Sequence, residues 1–167
     1  MSVMEGNPAP DFTVPSDGGG TISLAALRGR PVVLYFYPKD DTPGCTMESC
    51  GFRDSLPDFD RLDATVIGIS RDDVGSHERF KAKYGLTFPL AADVDGTVCE
   101  AYGSWVQKSM YGRLYMGIDR STFLIDENGV VRRVWRGVKV GGHVDEVLGA
   151  LQELKGLPVT PPRAAPA

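Results

Sequence analysis

The chain has 167 residues, 42% hydrophobic and 24% charged, enough for one domain with a true buried core. Its 18 basic and 22 acidic side chains give a net charge of −4, with a dense basic cluster only at Arg132, Arg133 and Arg136; neither nucleic acid nor an anionic membrane surface is an expected partner. No secretory-type N-terminal run and no stretch of roughly 18 uninterrupted apolar residues occurs, so a soluble, cytoplasmic protein is expected.

Residues 7–14 read as a short extended segment between prolines, and Asp17 to Gly20 as a turn. The segment TISLAALRG is expected to form a helical turn closed by Gly29. Pro31 to Tyr37, an unbroken β-branched and aromatic run, has the pattern of a strand buried on both faces. A loop, Pro38 to Gly44, leads into a helix predicted over about Pro43 to Leu62 and broken near Pro57. Ala64 to Ser70 is the next buried strand, and Val74 to Tyr84 a helix capped by Gly85. Leu90 to Val94 follows as a short strand and Thr97 to Tyr102 as a short helix. The aromatics and methionines of Trp105 to Gly117 lack helical or strand spacing, so an irregular loop is expected there. Ser121 to Asp126 and Val130 to Arg136 flank Glu127-Asn128-Gly129 as an antiparallel pair, and Val144 to Leu154 has helical apolar spacing. This order predicts an α/β thioredoxin-like fold over residues 1–155, a central mixed β-sheet flanked by helices. Residues 156–167, with four prolines, are expected to form a disordered tail.

Three cysteines are too few, and too odd in number, for a secreted disulfide framework, and no C-x-x-C or C-x-x-H pair suggests zinc. Cys45 is different, because it lies just beyond a buried strand, where sites of open α/β sheets gather. Thr42 suits the N-cap and Pro43 the first helical position, which puts Cys45 in the first turn. There the macrodipole and free amides favour a thiolate, the reactive form of cysteine. Glu48, within a turn, suits the positive helix start and is also placed to orient an arginine. Cys50, five residues on, has its Cα roughly 8 to 9 Å away on another helix face, beyond the ~7 Å reach of a disulfide. A Cys45–Cys50 bond therefore requires the first turns to unwind, which Gly44, Ser49 and Gly51 make easier.

The pattern of Pro38, Thr42 and Cys45 in YPKDDTPGCT, with Arg120 in DRSTFLID, resembles the peroxiredoxins of the bacterioferritin-comigratory, or Q-type, branch, over about Asp11 to Leu154. The resemblance implies a thioredoxin-dependent peroxidase acting on hydrogen peroxide and alkyl hydroperoxides, without metal or other cofactor. It implies that Pro38 shields Cys45, that Thr42 and backbone amides hold the peroxide, and that Arg120 stabilises the thiolate and the developing charge. Cys50 matches the resolving cysteine of relatives with this spacing, thioredoxin or a similar dithiol is the implied reductant, and a monomer is expected. The segment GGLG and a C-terminal Tyr-Phe pair are absent, so resistance to inactivation by excess peroxide is a further expectation.

Plainer readings compete. Cys50 equally suits a helix face packed on the core, and Cys99 is expected to be a structural core residue, with resolution as its functional alternative. His77 and His143, in polar surroundings, are expected to be solvated. Without the resemblance Arg120 reads as a surface arginine. The rival functions are a thiol–disulfide oxidoreductase, weakened by the missing C-x-x-C, and a non-catalytic thioredoxin-like binding or holdase module.

Overall fold

The computed structural model describes residues 3–159. Strands β1 (Thr13–Pro15) and β2 (Thr21–Ser23) pair antiparallel ahead of β3 (Val32–Phe36), which runs into helix α1 (Pro43–Arg61). Then follow β4 (Thr65–Ser70), α2 (Val74–Tyr84), β5 (Leu90–Ala92) and α3 (Thr97–Ala101). A hairpin, β6 (Trp105–Met110) with β7 (Arg113–Ile118), precedes β8 (Ser121–Ile125), β9 (Val131–Trp135) and α4 (His143–Leu154).

The main sheet has the order β5-β4-β3-β8-β9, with β3, β4 and β5 parallel and β8 and β9 antiparallel to their neighbours. It is the mixed, helix-flanked sheet expected of a thioredoxin-like α/β domain. All five side chains of β3 are buried, which explains its unbroken apolar run. Val33 and Tyr35 face a core completed by Phe52 and Phe59 of α1, Phe80 of α2 and Val147 and Leu151 of α4. Leu34 and Phe36 face the opposite core, with Ile22, Val98, Cys99, Tyr102 and Phe123. Gly68 in β4 is needed because a Cβ there would lie 2.8 Å from the Tyr35 ring and 2.9 Å from Leu90.

Four sequence expectations are corrected. Helix α1 runs through Pro57 without a break. An interior proline costs ~3 kcal/mol, but Phe52 and Phe59 bury the same helix face on either side of it. In TISLAALRG, Thr21–Ser23 is a strand with Ile22 turned inward, and only Ala25–Leu27 forms a single 3-10 turn. The stretch expected to be a loop before β8 is the β6–β7 hairpin, turned at Tyr111 and Gly112, both with positive φ (52° and 77°). Most of its side chains are exposed, so no buried face imposes the alternation that marks a strand in sequence. His77 and His143, finally, are fully buried rather than solvated. The proline-rich stretch 160–167 of the expected tail lies outside the described residues.

Candidate active site

The chain leaves β3 at its carboxyl end and enters α1 through residues 37–42. Thr42 has the extended backbone of an N-cap (φ −100°, ψ 156°) and Pro43 opens the helix. The Thr42 hydroxyl does not cap: its Oγ1 donates to the Lys39 carbonyl at 2.9 Å, tightening the loop, while the Thr42 carbonyl accepts from Thr46. Cys45 lies in the first turn, 1% exposed. Its sulfur sits where the helix dipole and the uncapped amides favour a negative charge.

Arg120, between β7 and β8, reaches this turn from the neighbouring strand, where Ser121 pairs with Phe36 at the end of β3. Its Nη2 donates to Cys45 Sγ at 3.3 Å and its Nη1 to Glu48 Oε1 at 2.7 Å, so one guanidinium fork holds both groups. A Cβ on Gly44 would stand 3.1 Å from Arg120 Nη2, so glycine clears the approach. Glu48 is fully buried, and its Oε2 has no hydrogen-bond partner among the described residues. Burial pushes its carboxyl up to about 7, partly opposed by Arg120. Arg120 is held above the usual arginine range, because Glu48 and Cys45 outweigh its burial. The site thus combines a near-buried sulfur at a helix start with a fixed cation beside it. Pro38, two residues past β3, is exposed and lines a groove with Arg71, Val94, Trp105 and Met116.

This geometry sets a thiol beside a fixed cation at a helix start, and comparison with known proteins gives the chain a family. Residues 6–134 match the AhpC/TSA family. The chain belongs to that family. Peroxiredoxin Bcp of Bacillus subtilis is 47% identical over 154 residues, 92% of this chain and 98% of that protein. Peroxiredoxin Bcp of Escherichia coli is 41% identical over 148 residues, 89% of this chain and 95% of that protein. Among solved structures, a mutant of Xylella fastidiosa PrxQ is similar with a TM-score of 0.88 at 40% identity, covering 93% of this chain and 99% of that one. The bacterioferritin comigratory protein of Xanthomonas campestris, a structure concerned with alkyl peroxide reduction, gives 0.83 at 46% identity, covering 86% and 91%. The protein is accordingly a peroxiredoxin of the Bcp/PrxQ type, a thiol peroxidase and oxidoreductase whose substrates are peroxides and whose cycle draws on a reductant.

The other thiols of this peroxiredoxin occupy different surroundings. Cys50 is half-buried on α1, and all three cysteines are free. Since α1 is continuous through both, Cys45 and Cys50 cannot bond in this conformation. Cys99 packs in the core on the far side of the sheet from Cys45, with its amide on Asp93, and burial next to that carboxylate pushes its thiol well up.

Both histidines, expected at the surface, are instead held in buried contacts. His143 Nε2 bonds the Thr122 hydroxyl at 2.7 Å, with its ring edge-on to Phe52 and Trp135. Burial, helped by Arg120, depresses it to about 4. His77 faces Asp40 at 2.8 Å. Its signal was the helix position itself: three residues before Phe80, His77 shares the inward face of α2. Asp40, Asp72 and His77 bring potential ligand atoms within 4.8 Å of one another. Those atoms are already engaged, however: Asp40 with Tyr37, Ser76 and His77, and the second ring nitrogen of His77 with the Ala91 carbonyl. The cluster is a hydrogen-bond network, and the described residues offer no other group of this kind. No described helix is long and apolar enough to cross a membrane.

Proposed function

We propose that Cys45 is the nucleophile of the peroxidase reaction. Its thiolate attacks one peroxide oxygen, the O–O bond breaks, and the leaving hydroxide or alkoxide takes up a proton, with Cys45 left as a sulfenic acid. The observation that carries this reading is Arg120 Nη2 at 3.3 Å from Cys45 Sγ, at a helix start that itself favours the anion. Positive charge and donors fixed beforehand are what the developing oxyanion needs. Glu48 aims the guanidinium, Thr42 with nearby amides aligns the two oxygens, and Pro38 limits access of water. Hydrogen peroxide and small alkyl hydroperoxides are the proposed substrates.

Cys50 then condenses with the sulfenic acid, releasing water and forming a Cys45–Cys50 disulfide once the start of α1 unwinds. Cys99 is a poor alternative, because it is buried across the sheet with a raised thiol. Thioredoxin or a similar dithiol protein reduces the disulfide, and the enzyme works as a cytoplasmic monomer. Replacing Cys45 by serine tests the assignment: peroxide consumption is expected to vanish, and a variant consuming peroxide like wild type overturns it.

A further inference from the structure

We propose that Asp40 and His77 are positioning residues of the peroxidase site, a buried pair that pins the loop carrying Pro38 and Thr42 to α2. This rests on Cys45 being the nucleophile and explains what holds its surroundings in register.

Asp40 stands two residues before Thr42, and its carboxylate is fully engaged. Oδ1 accepts from the Tyr37 hydroxyl at 2.6 Å; Oδ2 accepts from Ser76 Oγ at 2.8 Å and faces His77 Nδ1 at 2.8 Å. Its backbone N–H donates to Asp72 Oδ2 at 2.8 Å, and Asp72 also accepts from Ser70 Oγ at 2.7 Å. One residue thus ties the loop to the end of β3, to the end of β4 and to the first turn of α2. His77 has an acceptor at each ring nitrogen, Asp40 on one side and the Ala91 carbonyl 2.9 Å away on the other. This pair of partners favours the doubly protonated ring, which donates from both nitrogens. Burial acts against that charge, yet Asp40 and Ala91 outweigh it and raise His77 above its ordinary range.

Stability alone does not account for such a pair. Buried ion pairs are often no better than apolar side chains of the same volume, and in some proteins what they add is a single defined geometry. The loop needs that definition. Asp41 holds φ at 57°, a left-handed conformation that disfavours any residue with a Cβ. Its carboxylate is gripped by Lys83 at 2.8 Å and the Tyr84 hydroxyl at 2.7 Å, at the other end of α2. Asp40 and Asp41 therefore clamp the loop to both ends of one helix, and Thr42 and the first turn of α1 follow directly from it.

The test compares two reactions of Cys45 in the full chain. Peroxide must be aligned by Thr42 and Arg120, whereas iodoacetamide needs only a reactive, accessible sulfur. Asp40→Asn and His77→Gln are each expected to slow Cys45 oxidation by hydrogen peroxide about 10-fold or more, with alkylation by iodoacetamide changed less than about 2-fold. Folded variants oxidised at the wild-type rate overturn the proposal, as do variants in which both reactions slow together. If neither variant folds, Ser76→Ala decides, because it removes one of the two α2 partners of the Asp40 carboxylate and leaves the His77 ring in place. A loss of about 3-fold in peroxide rate upholds the proposal and an unchanged rate overturns it. A wild-type Cys45 that peroxide does not oxidise overturns both this inference and the reading of the site.

Discussion

The chemistry proposed for Cys45 depends on Arg120 and on the glycine that lets it approach, and each can be altered singly. Arg120 uses both arms of its fork, one on Cys45 and one on Glu48, which a lysine cannot do. Arg120→Lys is expected to lower the rate of peroxide reduction by about 10²-fold, measured by stopped-flow oxidation of Cys45. Gly44→Ala acts more indirectly, since the new methyl at 3.1 Å from Nη2 makes the guanidinium shift by a few tenths of an ångström beside the sulfur. About 10-fold slower oxidation with an unchanged melting temperature is expected, and a wild-type rate would show the approach is not that tight. Cys45 and Thr42 were legible because their context is local: a strand end, an N-cap and a first turn. Arg120 contacts Cys45 across 75 residues of chain, so no local pattern announces it, and only the family resemblance singled it out. His77 and Asp40 stayed hidden for a similar reason, because polar neighbours in sequence say little about a side chain that folds inward.

Helix α1 carries a conflict between its two proposed tasks. Folded, it places Cys45 at a positive helix end; unwound, it lets Cys45 reach Cys50. Peroxide-treated protein is expected to lose the slow amide exchange of Cys45–Gly51 while α4 keeps its protection, as followed by hydrogen exchange. Unchanged protection in the oxidised form would contradict resolution by Cys50. The body of α1 is anchored beyond that point by Phe52 and Phe59, and the same anchoring carries the helix through Pro57. Elements with two buried faces, such as β3 and β4, or one clear apolar stripe, such as α4, were readable from sequence. The β6–β7 hairpin was not, because its mostly exposed faces leave no hydrophobic period to read.

At the scale of the molecule, the sheet divides the interior into two cores, with Cys45 in one and Cys99 in the other. That division followed from the βαβ order, which fixed the fold class, but the partition of individual side chains needed the register. Burial of His143 adds a pH response. His143, buried beside α1 and near Arg120, is held at about 4, below the ~6.5 of an unfolded histidine. As pH falls from 6.5 towards 4 the unfolded chain takes up a proton that the native chain refuses, so stability present above 6.5 is lost across this window. Relative to His143→Gln, the wild type is expected to lose about 2 kcal/mol between pH 6.5 and 4.5, read from denaturant unfolding at each pH. Parallel pH profiles for the two proteins would contradict a buried neutral His143. The most direct test of the whole account is mass spectrometry after one equivalent of hydrogen peroxide. Cleavage after Lys39 and Arg53 leaves Cys45 and Cys50 on one peptide. That peptide is predicted to lose two hydrogens as a Cys45–Cys50 disulfide forms, with Cys99 untouched; an unmodified Cys45, or a disulfide to Cys99, would contradict the account.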